Sequence, residues 1–331
     1  MVNKSKNFWQ ELSKEQKPFF CLAPMEDVTD VAFREMFAKF KHQSKALALF
    51  TEFTPSDGLA FGDEKAQKRL RAKLSYTEAQ RPIVAQIYNS NPGRMEEAAR
   101  LVQSLGFDGV DINMGCPVNA VVKQISGAAL IKHPELAVSL MQAVREGAPN
   151  IPLSVKTRIG YSSKDDMVPW LTTILKECPE ALTIHLRTRS QFSKVPADWS
   201  LMPGIIKLRD KLSPETVIIG NGDVQSVEHG KKLAGQYGCD GIMVGRAAFG
   251  TPDFFTQCPR GPLGHQDHQI KMLIEHIELF DKLLLKPGHK GYHVMKKHYK
   301  AYINGWQGAK ELRIKLMDTN NPQEAIKLLQ K

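Results

Sequence analysis

Short runs of apolar and β-branched residues recur along the first three quarters of the chain. Segments with helical periodicity separate most of them, at Arg94–Leu105, Pro134–Arg145, Met167–Lys176, Met202–Leu212 and Val227–Tyr237. Strands that are apolar throughout are typical of a parallel sheet covered on both faces. Eight such units over about 250 residues predict an α/β fold, a (β/α)8 TIM barrel. The eight predicted strands are Phe19–Met25, Ala46–Phe53, Ile83–Asn89, Gly109–Gly115, Leu153–Ile159, Ala181–Arg187, Thr216–Asp223 and Gly241–Ala248.

The pattern changes after Thr251, where helical runs follow without a further strand, at Gln269–Leu285, Gly291–Ile303, Ala309–Met317 and Pro322–Gln330. We therefore predict an N-terminal extension (1–18), a catalytic barrel (19–251) and a C-terminal all-helical domain (252–331). An open doubly wound sheet is the alternative, but it would have fewer strands and a glycine-rich first turn, which this sequence lacks.

Nearly every predicted strand ends in a hydrogen-bonding or charged residue. The active site of a barrel of this kind is built where its strands end. Buried polar groups are costly unless they are satisfied, so these ends predict a large polar ligand at the barrel mouth. In chain order the ends carry Pro24 and Met25, Glu52, Gln86 and Asn89, Asn113 and Cys116, Lys156 and Arg158, His185 and Arg187, Asn221 to Asp223, and Gly245 with Arg246.

The last two strands predict a phosphate site. Strand seven ends in Asn221-Gly222-Asp223 and strand eight in Gly245-Arg246. Glycines expose backbone N–H groups, the loops after strands seven and eight are the usual phosphate cradle of this fold, and arginine adds a bidentate cation. Alone, Asn-Gly-Asp would indicate only a tight turn.

Lys156 lies in the middle of a predicted strand, in Val155-Lys156-Thr157-Arg158. A lysine there must reach an anion or water, and an ammonium group beside a flavin stabilises the charge that the ring gains on reduction. A surface lysine beyond a shorter strand is the alternative. His185 and Gln86 are candidate site residues only because they belong to the same ring of strand ends.

Cys116 stands in Asp111-Ile112-Asn113-Met114-Gly115-Cys116-Pro117, where a glycine and a proline flank a single thiol at a strand end. A nucleophilic cysteine would need an adjacent base, and a metal ligand would need companions; the sequence offers neither. A thiol that is protonated at neutral pH can act as a general acid, which suits a reductase.

Composition and charge limit the kinds of partner and site that this protein is expected to have. The net charge is +10, and from Arg260 to Lys331 there are 13 Lys and Arg against 7 Asp and Glu. A basic surface of this kind favours a polyanion such as nucleic acid, although a merely lysine-rich surface would look the same. Five widely spaced cysteines without a Cys-x-x-Cys pair argue against a disulfide framework or a metal site, and no apolar run is long enough to cross a membrane. We expect a cytoplasmic protein.

Taken together, these residues resemble the tRNA-dihydrouridine synthases, and the resemblance covers nearly the whole chain. Its motifs are Ala23-Pro24-Met25 with Thr29-Asp30 and Arg34, Thr51-Glu52-Phe53, Gln86-Ile87, Asn113-Met114-Gly115-Cys116-Pro117, Gly127-Ala128-Ala129-Leu130, Val155-Lys156-Thr157-Arg158-Ile159-Gly160, His185-Leu186-Arg187-Thr188-Arg189, Ala197-Asp198-Trp199, Asn221-Gly222-Asp223, Gly245-Arg246-Ala247-Ala248, Lys297-His298 with Tyr302, and Glu311-Leu312-Arg313. The last two indicate the bacterial branch, with a compact helical tail.

The resemblance implies an FMN enzyme that reduces the C5–C6 double bond of particular uridines in tRNA with NADPH. Hydride would pass from the flavin to C6, while Cys116 would protonate C5. The residues implied to hold FMN are Pro24, Met25, Glu26, Gln86, Lys156, His185, Asn221, Gly222, Asp223, Gly245 and Arg246. Those implied to meet the RNA are Asn113, Arg187, Arg189, Lys194, Lys297 and His298. We expect a monomer that binds no metal.

Three positions depart from the pattern of that family. Asp27 replaces a glycine and adds negative charge near the flavin turn. Asn89 replaces a glycine after Gln86, and Leu186 replaces the glycine of His-Gly-Arg, which predicts a narrower space beside His185. Two other functions stay open: an FMN barrel that reduces a small pyrimidine or enone, and a non-catalytic RNA-binding protein or tRNA chaperone on a barrel scaffold.

Overall fold

A computed structural model describes residues 7–41, 46–60, 62–256 and 265–331. Eight parallel strands, β1 to β8 in chain order, close into a barrel, because β1 pairs with β2 on one side and with β8 on the other. They are Phe19–Leu22, Leu47–Phe50, Ile83–Tyr88, Gly109–Met114, Leu153–Gly160, Ala181–Thr188, Val217–Asn221 and Gly241–Val244. A two-residue strand, Thr54–Pro55, adds to β3. The predicted TIM barrel is confirmed.

Helices cover the outside of the barrel and form the end of the chain. The α-helices are Phe8–Glu15, Val31–Ala38, Ser56–Ala60, Glu64–Lys73, Pro92–Ser104, Asn119–Val122, Pro134–Gly147, Met167–Lys176, Met202–Leu212, Val227–Tyr237, His265–Phe280, Lys296–Tyr302, Ala309–Met317 and Pro322–Leu329. One-turn 3-10 segments lie at Glu78–Gln80, Lys164–Asp166, Trp199–Leu201, Arg246–Ala248 and Tyr292–Val294, a longer one spans Gly127–Lys132, and a π-helical turn spans Asp281–Leu285.

Successive side chains along each strand point alternately to the outer and the inner face of the barrel. Outward side chains such as Val110, Ile112 and Val155 join the large core between sheet and helices. The inner face is apolar where the helix Phe8–Glu15 packs against it: Phe19, at the amino end of β1, and Phe50 of β2 both contact Trp9. The helix Phe8–Glu15 therefore closes the bottom of the barrel, so part of the predicted N-terminal extension belongs to the barrel core.

Towards the carboxyl ends the inner face becomes polar, and parallel register aligns its residues across neighbouring strands. Gln86 is level with Asp111. Asn113 is level with Lys156, and His185 with Asn221. Polar groups from several strands thus share one interior, open at the carboxyl end.

The C-terminal helices pack against the barrel through one of its own helices. Val31, Ala32 and Met36 of the helix Val31–Ala38 belong to the same buried cluster as Leu273 and Phe280. The predicted helical end is confirmed. The predicted boundary within 252–264 falls largely on residues 257–264, which lie outside the described residues, as does Cys258; the division into domains stays a prediction.

No helix within the described residues combines the length and the hydropathy of a membrane span.

Candidate active site

A cavity of about 560 Å³ opens at the carboxyl end of the barrel; we call it the mouth cavity. Nine of the eleven residues predicted to hold a cofactor line it, and Glu26 and Gln86 do not. The lining is Ala23, Pro24, Met25, Lys156, His185, Arg187, Ser193, Asn221, Gly222, Asp223, Val224, Gln225, Met243, Gly245, Arg246 and Ala247. The volume is typical of a small-molecule or cofactor site.

Asp223 organises the side of the mouth cavity formed by β7 and β8. Its carboxylate accepts hydrogen bonds from Arg187, from Arg246 at 3.0 Å and from the backbone N–H of Ala197 at 2.9 Å. Burial alone would raise the pKa of Asp223, but these donors and the two guanidinium charges lower it. The carboxylate is thereby kept ionised and holds both arginines in place.

The two arginines differ in what they can offer a ligand. The side chain of Arg187 is 2% exposed, whereas that of Arg246 is 68% exposed. Arg246 is therefore free to bind an anion at the rim. Gly222 has φ +135°, and a Cβ there would lie 2.6 Å from that of Ala197, so only glycine fits this turn.

Lys156 reaches across the barrel interior. Its Nζ lies 3.2 Å from Oδ1 of Asn221, whose Nδ2 donates to the carbonyl oxygen of Met243 at 2.9 Å. Burial, together with the charge of Arg158, lowers the pKa of Lys156 to about 8. An ammonium group that loses solvation in this way gains most from an acceptor or an anion brought into the cavity.

His185 is neutral. Burial, followed by the charge of Lys156, lowers its pKa well below the ordinary value. Nη1 of Arg187 lies 2.9 Å from its Nε2. Because a guanidinium only donates, Nε2 accepts and the ring proton is on Nδ1. His185 can therefore contact a ring-shaped ligand without adding charge.

Cys116 follows β4 in a loop that backbone hydrogen bonds hold at both sides. The Cys116 N–H donates to Oδ1 of Asn113 at 2.9 Å, and its carbonyl oxygen accepts from the N–H of Ala128 at 3.0 Å. Gly127 has φ +60°, and a Cβ there would lie 2.8 Å from that carbonyl oxygen. The thiol is half-buried, and burial raises its pKa, although the N–H of Val118 opposes the shift. It is protonated at neutral pH.

Gln86 lies in the barrel interior below the mouth cavity. Its Nε2 donates to Asp111 at 2.7 Å and its Oε1 accepts from Nδ2 of Asn113 at 3.1 Å. Each end of the amide retains one further hydrogen-bonding position. Asp111 is a functional residue that sequence reasoning missed, although a carboxylate two residues before Asn113 on an apolar strand is the signal that could have found it.

A second cavity, of about 290 Å³, lies beside Glu26, Tyr88 and Lys290. Three carboxylates cluster nearby, those of Glu26, Asp27 and Glu52. Lysines neutralise them: Lys73 pairs with Glu26, and Lys290 lies 2.9 Å from Glu52.

Asp27, the departure near the flavin turn, is one of these paired carboxylates. It has φ +54°, and its backbone N–H donates to Glu52 at 2.7 Å. Its carboxylate accepts from Lys297 at 2.6 Å and lies 3.8 Å from Lys290. Its negative charge is thus balanced by lysines of the C-terminal segment.

The residues predicted to meet RNA fall into different environments. Lys194 is exposed at the rim, and Arg189 lies between the rings of Tyr161 and Phe192, 5.3 Å from each centroid, while donating to Asn119. Lys297 is exposed but paired with Asp27.

His298 is fully buried against the rings of Phe33, Phe249 and His276. Its assignment as an RNA contact is therefore wrong for this structure, because its imidazole does not reach the surface.

The structure also shows the surroundings of the departures at Leu186 and Asn89. Leu186 is completely buried in the outer core between sheet and helices, so its side chain points away from His185 and does not narrow the cavity. Asn89 does not adopt a left-handed conformation; its Oδ1 accepts from the N–H groups of Ser90 and Asn91 and shapes that turn.

Comparison with known proteins shows the family to which the chain belongs. The family described as dihydrouridine synthase (Dus) matches residues 21–331. A protein named probable tRNA-dihydrouridine synthase 2 from Bacillus subtilis (strain 168) is 42% identical over 98% of this chain and 96% of its own length. The chain belongs to the dihydrouridine synthase family. The predicted family and the predicted enzyme class, a flavin-dependent oxidoreductase, are confirmed.

A further relative supports the family assignment, and a solved structure shares the fold. A probable tRNA-dihydrouridine synthase from Staphylococcus aureus (strain MRSA252) is 38% identical over 98% of this chain and 94% of its own. The structure of histamine dehydrogenase from Rhizobium sp. 4-9 is similar over 78% of this chain and 48% of that one, with a TM-score of 0.51 and 10% identity. That likeness concerns the barrel fold alone. For this dihydrouridine synthase, roles of individual residues remain to be proposed.

Proposed function

We propose that this dihydrouridine synthase reduces specific uridines of tRNA to 5,6-dihydrouridine, with FMN as its cofactor and NADPH as reductant. The observation that carries the proposal is the half-buried thiol of Cys116, held by its backbone at the open, polar end of the barrel. When bound, FMN supplies hydride to C6 of the uracil ring.

The mouth cavity suits FMN in shape and in donors. Arg246 and the N–H groups of the Asn221-Gly222-Asp223 turn would hold the phosphate, because the guanidinium is exposed and Gly222 leaves no side chain in the way. Lys156 would donate to the polar edge of the ring, and neutral His185 would pack near it. Pro24 and Met25 line the same cavity through their turn.

Cys116 would act as the general acid. Addition of hydride at C6 leaves negative charge that C5 relieves by accepting a proton, and a thiol with a raised pKa retains its proton until then. Asn113 holds the loop that carries the thiol and retains one amide hydrogen for the substrate base.

A target uridine must leave its stack to enter the barrel, so the enzyme needs a broad grip on the tRNA. Exposed Lys194 and partly buried Arg189, together with the basic C-terminal segment, would supply it. Positive charge contacts phosphates without reading the sequence, which suits binding to a folded RNA.

The test is reduction of unmodified tRNA by the purified protein under anaerobic conditions. Wild-type protein should show FMN absorbance, be reduced by NADPH and form dihydrouridine. Cys116→Ala should retain FMN and its reduction by NADPH but lose at least about 100-fold in the rate of uridine reduction. The matched control is Cys178→Ala, because Cys178 is an exposed thiol outside the mouth cavity.

Three results would contradict the proposal. A protein purified without flavin, a wild-type enzyme that leaves tRNA unchanged, or wild-type rates in Cys116→Ala would each do so. Mapping of dihydrouridine in tRNA from cells that lack the gene would identify the target position.

A further inference from the structure

A carboxylate lies fully buried inside the barrel, below the loop that carries Cys116. Asp111 is 0% exposed on β4, two residues before Asn113 on the same inward face. Its Oδ1 accepts from the hydroxyl of Ser154 at 2.6 Å, and its Oδ2 accepts from Nε2 of Gln86 at 2.7 Å. Burying a carboxylate costs free energy of folding, so a carboxylate inside the core is expected to have a specific role.

The carboxylate sets the direction of two amide side chains in turn. An ionised carboxylate only accepts, so Gln86 must present its NH2 group to Asp111 and its Oε1 to the other side. That oxygen accepts from Nδ2 of Asn113 at 3.1 Å. Asn113 must therefore point its own oxygen away from Gln86.

The last step of the chain reaches the backbone of the thiol-bearing loop. Oδ1 of Asn113 accepts from the N–H of Gly115 at 3.1 Å and from the N–H of Cys116 at 2.9 Å. With its amide reversed, Asn113 would present NH2 to two N–H donors, and both hydrogen bonds would be lost. Four side chains, Ser154, Asp111, Gln86 and Asn113, thus form one directional relay.

We infer that Asp111 is a positioning residue for Cys116: through Gln86 and Asn113 it fixes the loop that presents the thiol to the substrate. The inference rests on the proposed function, in which Cys116 delivers the proton. A displacement of about 1 Å at a reacting group is enough to cost about 100-fold in rate. Gln86 belongs to this relay, and only its remaining amide positions are open to a cofactor.

The experiment compares two half-reactions in holoenzyme carrying Asp111→Leu, Asp111→Asn or Thr183→Val. Asp111→Leu removes both acceptor oxygens, whereas Asp111→Asn keeps one oxygen for Gln86 and an NH2 for Ser154. Thr183→Val is the matched control, because its buried hydroxyl has no hydrogen-bond partner among the described residues. The readouts are reduction of the flavin by NADPH and its reoxidation by unmodified tRNA.

Asp111→Leu should retain flavin absorbance and its reduction by NADPH, and lose about 10- to 100-fold in reoxidation by tRNA. Asp111→Asn and Thr183→Val should stay within about threefold of wild type. In Asp111→Leu the amide hydrogens of Gly115 and Cys116 should also exchange faster, as measured by mass spectrometry of that peptide. Should Asp111→Leu fail to fold, Asp111→Ser removes the carboxylate with a smaller side chain and is expected to behave in the same way.

Wild-type reoxidation by tRNA in the folded Leu or Ser variant would overturn the inference, and so would a loss of flavin reduction equal to the loss of reoxidation. Failure of the proposed function would look different, since wild-type enzyme itself would then not be reoxidised by tRNA.

Discussion

Asp111 should make the stability of the barrel depend on pH. Burial raises its pKa to about 6 from the ordinary 3.8, against the opposing hydrogen bonds from Ser154 and Gln86. The native state therefore binds the proton more tightly than the unfolded chain. The stability contributed by this group is fully present below about pH 4 and is lost as the pH rises through about 6.

Asp111→Asn removes this dependence. Relative to wild type, its free energy of unfolding should increase between pH 4 and pH 7 by up to about 3 kcal/mol, since one pKa unit corresponds to about 1.4 kcal/mol. Urea denaturation followed by circular dichroism at pH 4, 5.5 and 7 measures the difference. A difference that stays constant over this range would contradict the assigned pKa.

At the residue scale, the sequence predicted the groups that face a ligand better than the groups that support them. Cys116 and Arg246 each follow a glycine at a strand end, so their positions carry a visible signal. Asp111 carries only the signal of a charge within an apolar strand, and its meaning depends on the strand register that brings Gln86 level with it. Leu186 was expected to narrow the space beside His185. Side chains alternate between the inner and outer faces along β6, so Leu186 points outward while His185 points inward.

At the scale of elements, Lys290 connects the C-terminal segment to the barrel mouth. It lies between the π-helical turn Asp281–Leu285 and the 3-10 turn Tyr292–Val294. Its Nζ contacts Asp30 at 3.2 Å and Glu52 at 2.9 Å, both of which are buried. Burial alone would lower the pKa of Lys290, but the charges of Asp30 and Glu52 outweigh this effect. The pKa is therefore raised above its ordinary value, and the lysine stays charged.

Lys290→Met should leave two buried carboxylates without their cation. We expect the free energy of unfolding to fall by about 3–5 kcal/mol, the usual cost of breaking a buried ion pair from one side. The urea midpoint at neutral pH is the measurement, with Lys300→Met as the control, because Lys300 is exposed and has no ion pair among the described residues. Equal midpoints for the two variants would show that the carboxylates find other partners.

The strands and helices themselves were predictable from periodicity, while their ends and their long-range contacts were not. The first strand ends at Leu22 rather than at Met25, because residues 23–25 already form the turn that lines the mouth cavity. The contact between Lys290 and Glu52 joins residues 238 positions apart. Nothing in local hydrophobic pattern encodes such a pair.

At the scale of the whole molecule, the barrel and the family could be inferred from the order of the motifs, because parallel strands bring all their carboxyl ends to one face. The attachment of the C-terminal helices could not. It depends on Val31, Ala32 and Met36 facing outward from a barrel helix, and on His298 packing against Phe33. The assignment of His298 as an RNA contact came from the family resemblance of the Lys297-His298 motif, which carries no information on this packing.

Charge over the whole surface should make tRNA binding strongly dependent on salt. With a net charge of +10, the logarithm of the binding constant should fall linearly with the logarithm of salt concentration. Lys194 is exposed and has no ion pair among the described residues, so Lys194→Gln should reduce the slope by about 0.8 if it meets a phosphate. Lys297 is also exposed, but its ammonium lies 2.6 Å from the carboxylate of Asp27.

Lys297→Gln should therefore change the slope by less than Lys194→Gln, because Lys297 is already neutralised by Asp27 and displaces fewer of the cations condensed on the tRNA phosphates. Filter binding of unmodified tRNA at several salt concentrations, with both variants and wild type side by side, gives the three slopes. A larger change for Lys297→Gln than for Lys194→Gln would mean that tRNA separates Lys297 from Asp27 on binding. Asp27→Asn would then be expected to abolish the difference between the two lysines.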